Sequence, residues 1–486
     1  MLKQFLMSIL ILILGYSCTE KVDKDLNSIN GSWESLGSGW VLQIKDSTTY
    51  QIYDITSISC SPVKNGEFKE IEKSISLKND TLSLVKGVIT YKFKQINRLS
   101  DLCTTQTSNK DPLYNFEVFA ENVKSHYAFL ELNTINWDSL YQGQKEKLLQ
   151  NPTEVHLYQI LEETFEALHD NHAYLEATED IYKVMDTIAI TEEEEEEVQQ
   201  QNKSENLKEY GDIQIARMVT KHHLQEEMTT NYASWLPLIQ WGKLNDDIGY
   251  IQVQTMWLYA DLNIAEERVK EIGYVDAYVE AFHKIFDDVY IKKEVEAASK
   301  IMDQVMDDLL EMKSIVIDVR FNGGGQDAVS FEILSRFIAD KELQVATQKL
   351  KYGNEFTPVL PLFIKGSENA YTKPVYVLTS QQTGSAAEAF SIATMARHHI
   401  KRIGSSTSGA MSTSLEKKLP NDWIFAISNE VYMDNNGNNY ENIGIPVDYE
   451  MYYPKDRQTF FRSIADDLEA DKMKILQAIK NVEENR

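Results

Sequence analysis

The fold of the C-terminal half is decided by the stretch Pro374-Val-Tyr-Val-Leu-Thr-Ser-Gln-Gln-Thr-Gly-Ser385-Ala-Ala-Glu388. Residues 374–379 are apolar and rich in β-branched side chains, which predicts a buried strand, and residues 386–397 predict a helix. Gly384 permits a tight turn between the two. The N–H groups of a first helical turn can receive negative charge, so Ser385 stands where a nucleophile and an oxyanion site can share one turn. The alternative is that Ser385 is only an N-cap, because serine is a favoured cap.

A second loop has the same strand–loop–helix character. Ser314–Arg320 is an apolar strand, and Asn322-Gly-Gly-Gly325 leads into a helix from about Asp327. Three successive glycines let backbone N–H groups approach a ligand closely. Asp318 and Arg320 are placed to brace the loop by a charge-assisted hydrogen bond. The alternative is a flexible connection without chemistry.

The two loops together resemble a known family. Asp318-x-Arg320-x-Asn322-x-Gly-Gly, followed some sixty residues later by Thr-x-Ser385-x-x-Glu388, resembles the C-terminal processing peptidases, the tail-specific and tricorn-core serine peptidases of family S41. The resemblance covers roughly residues 111–455. It implies an α/β peptidase core in which Ser385 is the nucleophile. It also implies that the N–H groups of Ala386 and Gly324 stabilise the oxyanion.

The general base departs from the tail-specific pattern. Those relatives carry a lysine 25 residues after the serine, and Ala410 occupies that position here. Lys401, Lys417 and Lys418 lie nearby in sequence but outside the frame. The sequence therefore argues against a Ser–Lys dyad.

The tricorn-core pattern supplies other candidates. Leu168-His-Asp-Asn171-His172-Ala173 resembles the family segment Leu-x-Asp-Gly-His-Thr, which implies that His172 is the base. Glu441, in Tyr-Glu-Asn-Ile-Gly-Ile-Pro, matches the residue that orients the imidazole. Asn171 and Ala173 replace the usual glycine and threonine.

Composition excludes several classes of function. The 486 residues contain 48 Lys and Arg against 75 Asp and Glu, a formal charge of −27, which would repel nucleic acid. The sequence contains no metal-binding cluster, P-loop or dinucleotide motif, so we expect no cofactor. A chain of this length predicts several domains.

The first 18 residues predict a targeting segment. Lys3 precedes a ten-residue, mostly apolar run that is too short to span a bilayer, and a small residue then precedes Cys18. This pattern resembles the lipobox of bacterial lipoproteins, which implies acylation of Cys18 and a membrane anchor in the bacterial cell envelope. The alternative is an ordinary secretory signal. In an oxidising envelope Cys60 and Cys103 can form a disulfide, although two reduced buried cysteines are equally compatible with the sequence.

The fold class predicted is α/β (α+β). It comprises a core with a mainly parallel sheet covered by helices, a helical layer before it, and a small antiparallel, lipocalin-like β-barrel at the N-terminus. The barrel is expected to serve as a docking module. The predicted boundaries are a signal segment 1–18, a tether 19–27, the barrel 28–105, the helical part 108–180, an acidic insert without a clear PDZ domain 181–245, and the core 246–486. The insert contains the acidic run Glu192–Glu197, for which we expect no chemistry.

The leading prediction is an envelope serine peptidase that acts on protein or peptide substrates through Ser385, His172 and Glu441. One alternative is a catalytically inactive scaffold lipoprotein that binds a ligand or partner. Another is hydrolysis of a small ester or amide by the same residues. The oligomeric state is not encoded in any feature of the sequence.

Overall fold

The computed structural model describes residues 29–105, 108–188, 207–229 and 237–484. The signal segment with Cys18, the tether 19–27 and the run Glu192–Glu197 lie outside these ranges. Within the ranges, no helix combines the length and the apolar character needed to cross a bilayer.

The strands are β1 Gly31–Ser35, β2 Trp40–Lys45, β3 Thr49–Ile55, β4 Cys60–Glu67, β5 Ile75–Lys78, β6 Thr81–Lys86, β7 Ile89–Ile96, β8 Tyr174–Glu176, β9 Glu227–Thr229, β10 Ile239–Lys243, β11 Ile248–Val253, β12 Ser314–Asp318, β13 Leu343–Tyr352, β14 Glu355–Phe356, β15 Leu360–Ile364, β16 Val375–Thr379, β17 Ile400–Gly404, β18 Ser414–Lys418, β19 Ile424–Ser428, β20 Glu430–Met433 and β21 Tyr449–Glu450. The helices are Phe68–Ile71, Leu102–Thr105, Pro112–His126, Trp137–Gln150, Glu154–Leu168, Asp212–His223, Glu266–Ile272, Tyr274–Phe282, Asp287–Leu309, Asp327–Ser335, Ala386–Thr394, Arg457–Ala465 and Leu468–Glu484, with a 3-10 turn at Glu72–Ser74.

Strands β1–β7 form the N-terminal sheet, in the order β4-β3-β2-β1-β7-β6-β5 with every pair antiparallel. Its edge strands β4 and β5 do not pair with each other, so the sheet is open and the closed barrel expected from the sequence is wrong. The physical reason lies on its buried face, where Phe286 and Leu350 of the C-terminal half join the sheet's own core. The sheet covers another part of the molecule instead of closing around itself.

A disulfide joins Cys60 of β4 to Cys103, with 4.8 Å between the two Cα atoms. Cys103 lies in the helix Leu102–Thr105, which leads out of the N-terminal sheet. The bond therefore fixes the exit of the chain from the sheet to an edge strand.

The helical layer contains three long helices, Pro112–His126, Trp137–Gln150 and Glu154–Leu168, which follow one another in the chain. The layer agrees with the helical part expected over residues 108–180. Asn136 caps the second of these helices by accepting a hydrogen bond from the Ser139 N–H.

The main sheet has the order β21-β17-β16-β12-β11-β10-β9. Pairing is parallel from β11 to β21 and antiparallel between β9, β10 and β11, which confirms the mainly parallel sheet. Strands β9 and β10 come from the segment predicted as an insert. Because β12 and β16 are parallel neighbours, the loops that follow them emerge at the same edge of the sheet.

A smaller sheet has the order β18-β19-β8, and all its pairs are antiparallel. The short strand β8 begins two residues after His172. The β18–β19 hairpin therefore holds the chain that carries this histidine.

Candidate active site

Ser385 occupies a strained turn between β16 and the helix Ala386–Thr394. Its φ of 51° and ψ of −123° lie where a residue with a side chain rarely goes, and such strain costs about 1–3 kcal/mol. Ser385 occupies the N-cap position of this helix, but its side chain makes no capping hydrogen bond. Within the described ranges its half-buried Oγ has no hydrogen-bond partner.

The glycine loop packs directly against this turn. A Cβ added to Gly324 would lie 2.6 Å from the Ser385 Cβ and 2.9 Å from the Ala386 N, so only glycine permits this approach. The Gly324 N–H donates to Asn322 Oδ1 at 2.9 Å, and Asn322 Nδ2 donates to the Val253 carbonyl at 3.1 Å. Of the two predicted oxyanion donors, the Gly324 N–H is thus already bonded. The Ala386 N–H belongs to the first helical turn and has no intrahelical acceptor.

Buried charges brace the base of the glycine loop. Arg320 and Asp318 form a fully buried ion pair with 2.7 Å between Nη2 and Oδ2. Arg320 Nη1 also donates to Asp471 of the C-terminal helix at 2.8 Å. Burial alone would raise the pKa of Asp471, but the charge of Arg320 and its hydrogen bonds lower that pKa to about 2. The pairing keeps Asp471 and Arg320 ionised and fixes the backbone on which Asn322 and Gly324 stand.

His172 lies on a tight turn fixed by Asp170. Asp170 accepts hydrogen bonds from the His172 N–H at 2.9 Å, from the Ser428 N–H at 2.7 Å and from the Ser428 hydroxyl at 2.6 Å. Burial lowers the pKa of the imidazole, while the charge of Asp170 opposes that shift. The imidazole is therefore neutral at pH 7, the state in which it can accept a proton. Its Nδ1 is buried and has no hydrogen-bond partner among the described residues.

Glu441 lies in the connection between β20 and β21. Its Oε2 accepts hydrogen bonds from the Met411 N–H at 2.9 Å and the Ser412 N–H at 3.2 Å. Burial, together with the charges of Glu388 and Asp170, raises the pKa of Glu441 to about 8. The side chain is therefore mostly protonated at neutral pH. No hydrogen bond joins His172 to Ser385 or to Glu441 in the ranges that the structure describes.

Residues 410–414, hereafter the bridging segment, contact all three turns. The Ala410 carbonyl accepts from the Ser385 N–H at 2.9 Å, Met411 and Ser412 bind Glu441, and the Ser414 hydroxyl donates to the His172 carbonyl at 3.3 Å. Four residues of extended chain span at most about 14 Å. The turns that carry Ser385 and His172 are therefore attached to points no farther apart than that.

Glu388 is a residue to which the sequence assigned no role. It is fully buried and accepts hydrogen bonds from the Thr407 and Ser408 hydroxyls and from the Gly409 and Ala410 N–H groups. Burial raises its pKa. The sequence could have indicated a role for Glu388 from its position one helical turn after Ser385, because side chains three residues apart lie on the same face of a helix.

The three lysines near Ala410 in sequence are engaged elsewhere. Lys401 pairs with Asp448, Lys418 pairs with Asp422, and Lys417 is buried against the N-terminal sheet. Ala410 uses both of its backbone polar groups to hold Glu388 and Ser385. Across the described ranges there is also no cluster of three or more metal-ligating side chains.

The family model of peptidase family S41 matches residues 247–451. The chain therefore carries an S41 peptidase domain, and the resemblance inferred from its two loops is confirmed. This domain spans the main sheet from β11 to β21, including both the nucleophile turn and the glycine loop.

Solved structures with a similar fold include proteins described as peptidases. A candidate peptidase from Parabacteroides merdae is 20% identical, with a TM-score of 0.47 over 74% of this chain and 98% of its own. The photosystem II D1 C-terminal processing protease is 13% identical, with a TM-score of 0.41 over 73% and 98%. The tricorn protease is 12% identical, with a TM-score of 0.38 over 91% of this chain and 45% of its own.

Proposed function

We propose that the chain is a serine peptidase that hydrolyses peptide bonds with Ser385 as nucleophile and His172 as general base. The observation that carries the proposal is the uncapped Ser385 hydroxyl, held in a strained turn beside the open Ala386 N–H. Strained backbone persists where function requires it, and here it presents the hydroxyl away from its own helix.

In the first step the Ser385 Oγ attacks the scissile carbonyl carbon and its proton passes to the neutral His172. The carbonyl oxygen becomes an oxyanion that accepts from the Ala386 N–H, and removing such a donor costs about 3–4 kcal/mol of the barrier. His172 then gives the proton to the leaving amine, and water hydrolyses the acyl-enzyme by the reverse use of the same groups.

Glu441 is the acid that orients His172 in this proposal. The imidazole Nδ1 lacks a hydrogen-bond partner among the described residues, and the protonated Glu441 binds the bridging segment, which also holds the His172 carbonyl. Hydrogen bonds of catalytic groups are often loose without substrate and tighten in the complex. Transfer of the Glu441 proton to solvent leaves a carboxylate that stabilises the imidazolium formed during attack.

The covalent test uses a fluorophosphonate probe on the purified protein. We expect labelling of the wild type at Ser385, loss of labelling in Ser385→Ala, and much slower labelling in His172→Ala. The matched controls are Ser463→Ala and His169→Asn. The Ser463 hydroxyl bonds to the Phe460 carbonyl of its own helix, and the exposed His169 has a φ of 53°, which asparagine tolerates. We expect cleavage of casein and of a quenched fluorescent peptide library to fall in the same variants in which labelling falls. A folded wild type that neither labels nor cleaves contradicts the peptidase proposal and favours the catalytically inactive binding scaffold.

We further propose that Cys18 is acylated and anchors the protein to a membrane of a bacterial envelope. The proposal is supported by the short apolar leader before Cys18. Labelled palmitate should enter the wild type but not Cys18→Ser when each is expressed in a bacterium that processes lipoproteins. Absence of label from the wild type in that host rejects the anchor.

A further inference from the structure

The N-terminal sheet contacts the C-terminal half through a buried ion pair. The Lys417 Nζ lies 3.0 Å from Asp54 Oδ1, and the two residues are 1% and 6% exposed. Lys417 belongs to β18, and Asp54 belongs to β3 of the N-terminal sheet. A charge pair this deeply buried holds its partners strictly in place, because breaking it leaves an uncompensated charge away from water.

The pair is part of a complete set of hydrogen bonds. The Lys417 Nζ also donates to the Ser38 and Gly39 carbonyls, so its three protons have three acceptors. Asp54 Oδ2 accepts from the Lys418 N–H at 2.8 Å. Two consecutive residues of β18 are thus tied to one carboxylate of the N-terminal sheet.

Strand β18 is the element that connects the three turns of the candidate site. It continues directly from the bridging segment, which holds Ser385, Glu441 and the His172 carbonyl. Its partner β19 pairs with β8, where Phe425 is opposite Leu175, three residues after His172. Any displacement of β18 therefore reaches both the histidine turn and the nucleophile turn.

A second contact from the N-terminal sheet reaches the same region. The Tyr91 hydroxyl donates to Glu430 Oε1 at 3.1 Å, and the Glu430 N–H donates to the Ser412 hydroxyl at 3.1 Å. Ser412 in turn donates its N–H to Glu441. The sheet thus supports both ends of the β18–β19 hairpin.

We propose that the N-terminal sheet is a positioning element of the active site, acting through the Asp54–Lys417 ion pair, rather than a separable docking module. Asp54 and Lys417 touch neither substrate nor the reacting atoms. They act by holding β18, and through it the bridging segment and β8, in the register that the three site residues need. The effect on turnover rests on the proposed peptidase function, whereas the effect on the mobility of the two strands does not.

The test compares two variants that each break one ion pair between the N-terminal sheet and the C-terminal half. Asp54→Asn removes the countercharge of Lys417. The matched control Lys64→Met removes the ion pair between Lys64 of β4 and Asp287, which is 2.8 Å long. Asp287 is the first residue of the helix Asp287–Leu309, which is far from β18 in the chain. The first readout is amide hydrogen exchange without substrate, and the second is kcat and KM on a peptide.

We expect exchange in β8 and β18 to accelerate at least tenfold in Asp54→Asn, with kcat at least tenfold lower and KM within twofold. Lys64→Met should leave both readouts within twofold of the wild type. The double variant Asp54→Asn/Lys417→Met removes the uncompensated cation, so it secures a folded protein if the single variant does not fold. Its amide exchange in β8 and β18 should be as fast as in Asp54→Asn, because the Asp54–Lys417 ion pair is still missing.

Unchanged exchange in either folded Asp54 variant overturns the proposal, as does equal acceleration of the two strands by Lys64→Met. If exchange responds as expected while the wild type cleaves no peptide, the peptidase function fails and the positioning of the strands stands. If the wild type cleaves peptide and Asp54→Asn lowers kcat no more than Lys64→Met does, the role in turnover is rejected.

Discussion

Replacing Gly324 with alanine tests the packing that holds Ser385, the proposed nucleophile, in its turn. The new methyl group would lie 2.6 Å from the Ser385 Cβ and 2.9 Å from both the Ala386 N and the Gly384 carbonyl oxygen. Carbon atoms are in favourable contact at about 3.5 Å. The serine turn and the glycine loop must therefore separate by about 1 Å, and a displacement of that size can cost about 100-fold in rate.

The same substitution also costs stability. Gly324 has a φ of 114°, and a strained backbone costs about 1–3 kcal/mol for a residue with a side chain. Overpacking adds about 1–3 kcal/mol. We therefore expect Gly324→Ala to lose about 2–6 kcal/mol of unfolding free energy and about 100-fold in kcat/KM.

The assay is the rate constant for fluorophosphonate labelling together with kcat/KM on a peptide, since both need the hydroxyl in place. Gly353→Ala controls for strain alone, because Gly353 has a φ of 58° and nothing within 4 Å of an added methyl. Gly323→Ala controls for the loop, because a methyl there also meets nothing within 4 Å. A Gly324→Ala protein that is folded and labels within threefold of the wild type refutes the reasoning.

Three further outcomes follow from buried groups. Cys60→Ser/Cys103→Ser should lower the unfolding free energy in urea by about 4 kcal/mol, because the disulfide spans 43 residues. Burial raises the pKa of Glu441 from 4.5 to about 8, so its contribution to stability is fully present below about pH 4.5 and is lost as the pH rises through about 8. Glu441→Gln should flatten that decline in thermal melts, and an unchanged slope contradicts the assignment. Glu388→Gln should lose about 1–3 kcal/mol and at least tenfold in kcat/KM, because an amide nitrogen cannot accept the bonds that the carboxylate accepts; wild-type turnover in a folded variant contradicts it.

The strand–turn–helix units at the site were predictable from sequence because their signals are local. Gly384 and the alanine-rich run after Ser385 specify the turn and the helix within a few residues. The parallel pairing of β12 with β16 then brings the two loops together, which follows from the rhythm of alternating strands and helices. The docking of the glycine loop against the serine turn is thus encoded by short-range patterns.

What the sequence did not reveal depends on contacts between distant segments. Lys417 lies in the polar strand Ser414–Lys418, so from sequence it would be expected to be exposed to solvent. It is buried instead, because it pairs with Asp54, which is 363 residues away in the chain. The N-terminal sheet stays open for the same kind of reason, since Phe286 and Leu350 occupy the face that a barrel would enclose. The bond between the Gly324 N–H and Asn322 depends on a side-chain rotamer, which no periodicity records.

The contact of Arg320 with Asp471 has a consequence for the order in which the candidate site is completed during synthesis. The two residues are 151 positions apart, and the helix that carries Asp471 is needed to neutralise a guanidinium at the foot of the glycine loop. At a synthesis rate of about 5–20 residues per second, a ribosome takes about 8–30 s to cover that distance. Ser385 itself lies 86 positions before Asp471, so for about 4–17 s the emerging chain carries this serine without the ion pair that completes the base of the glycine loop.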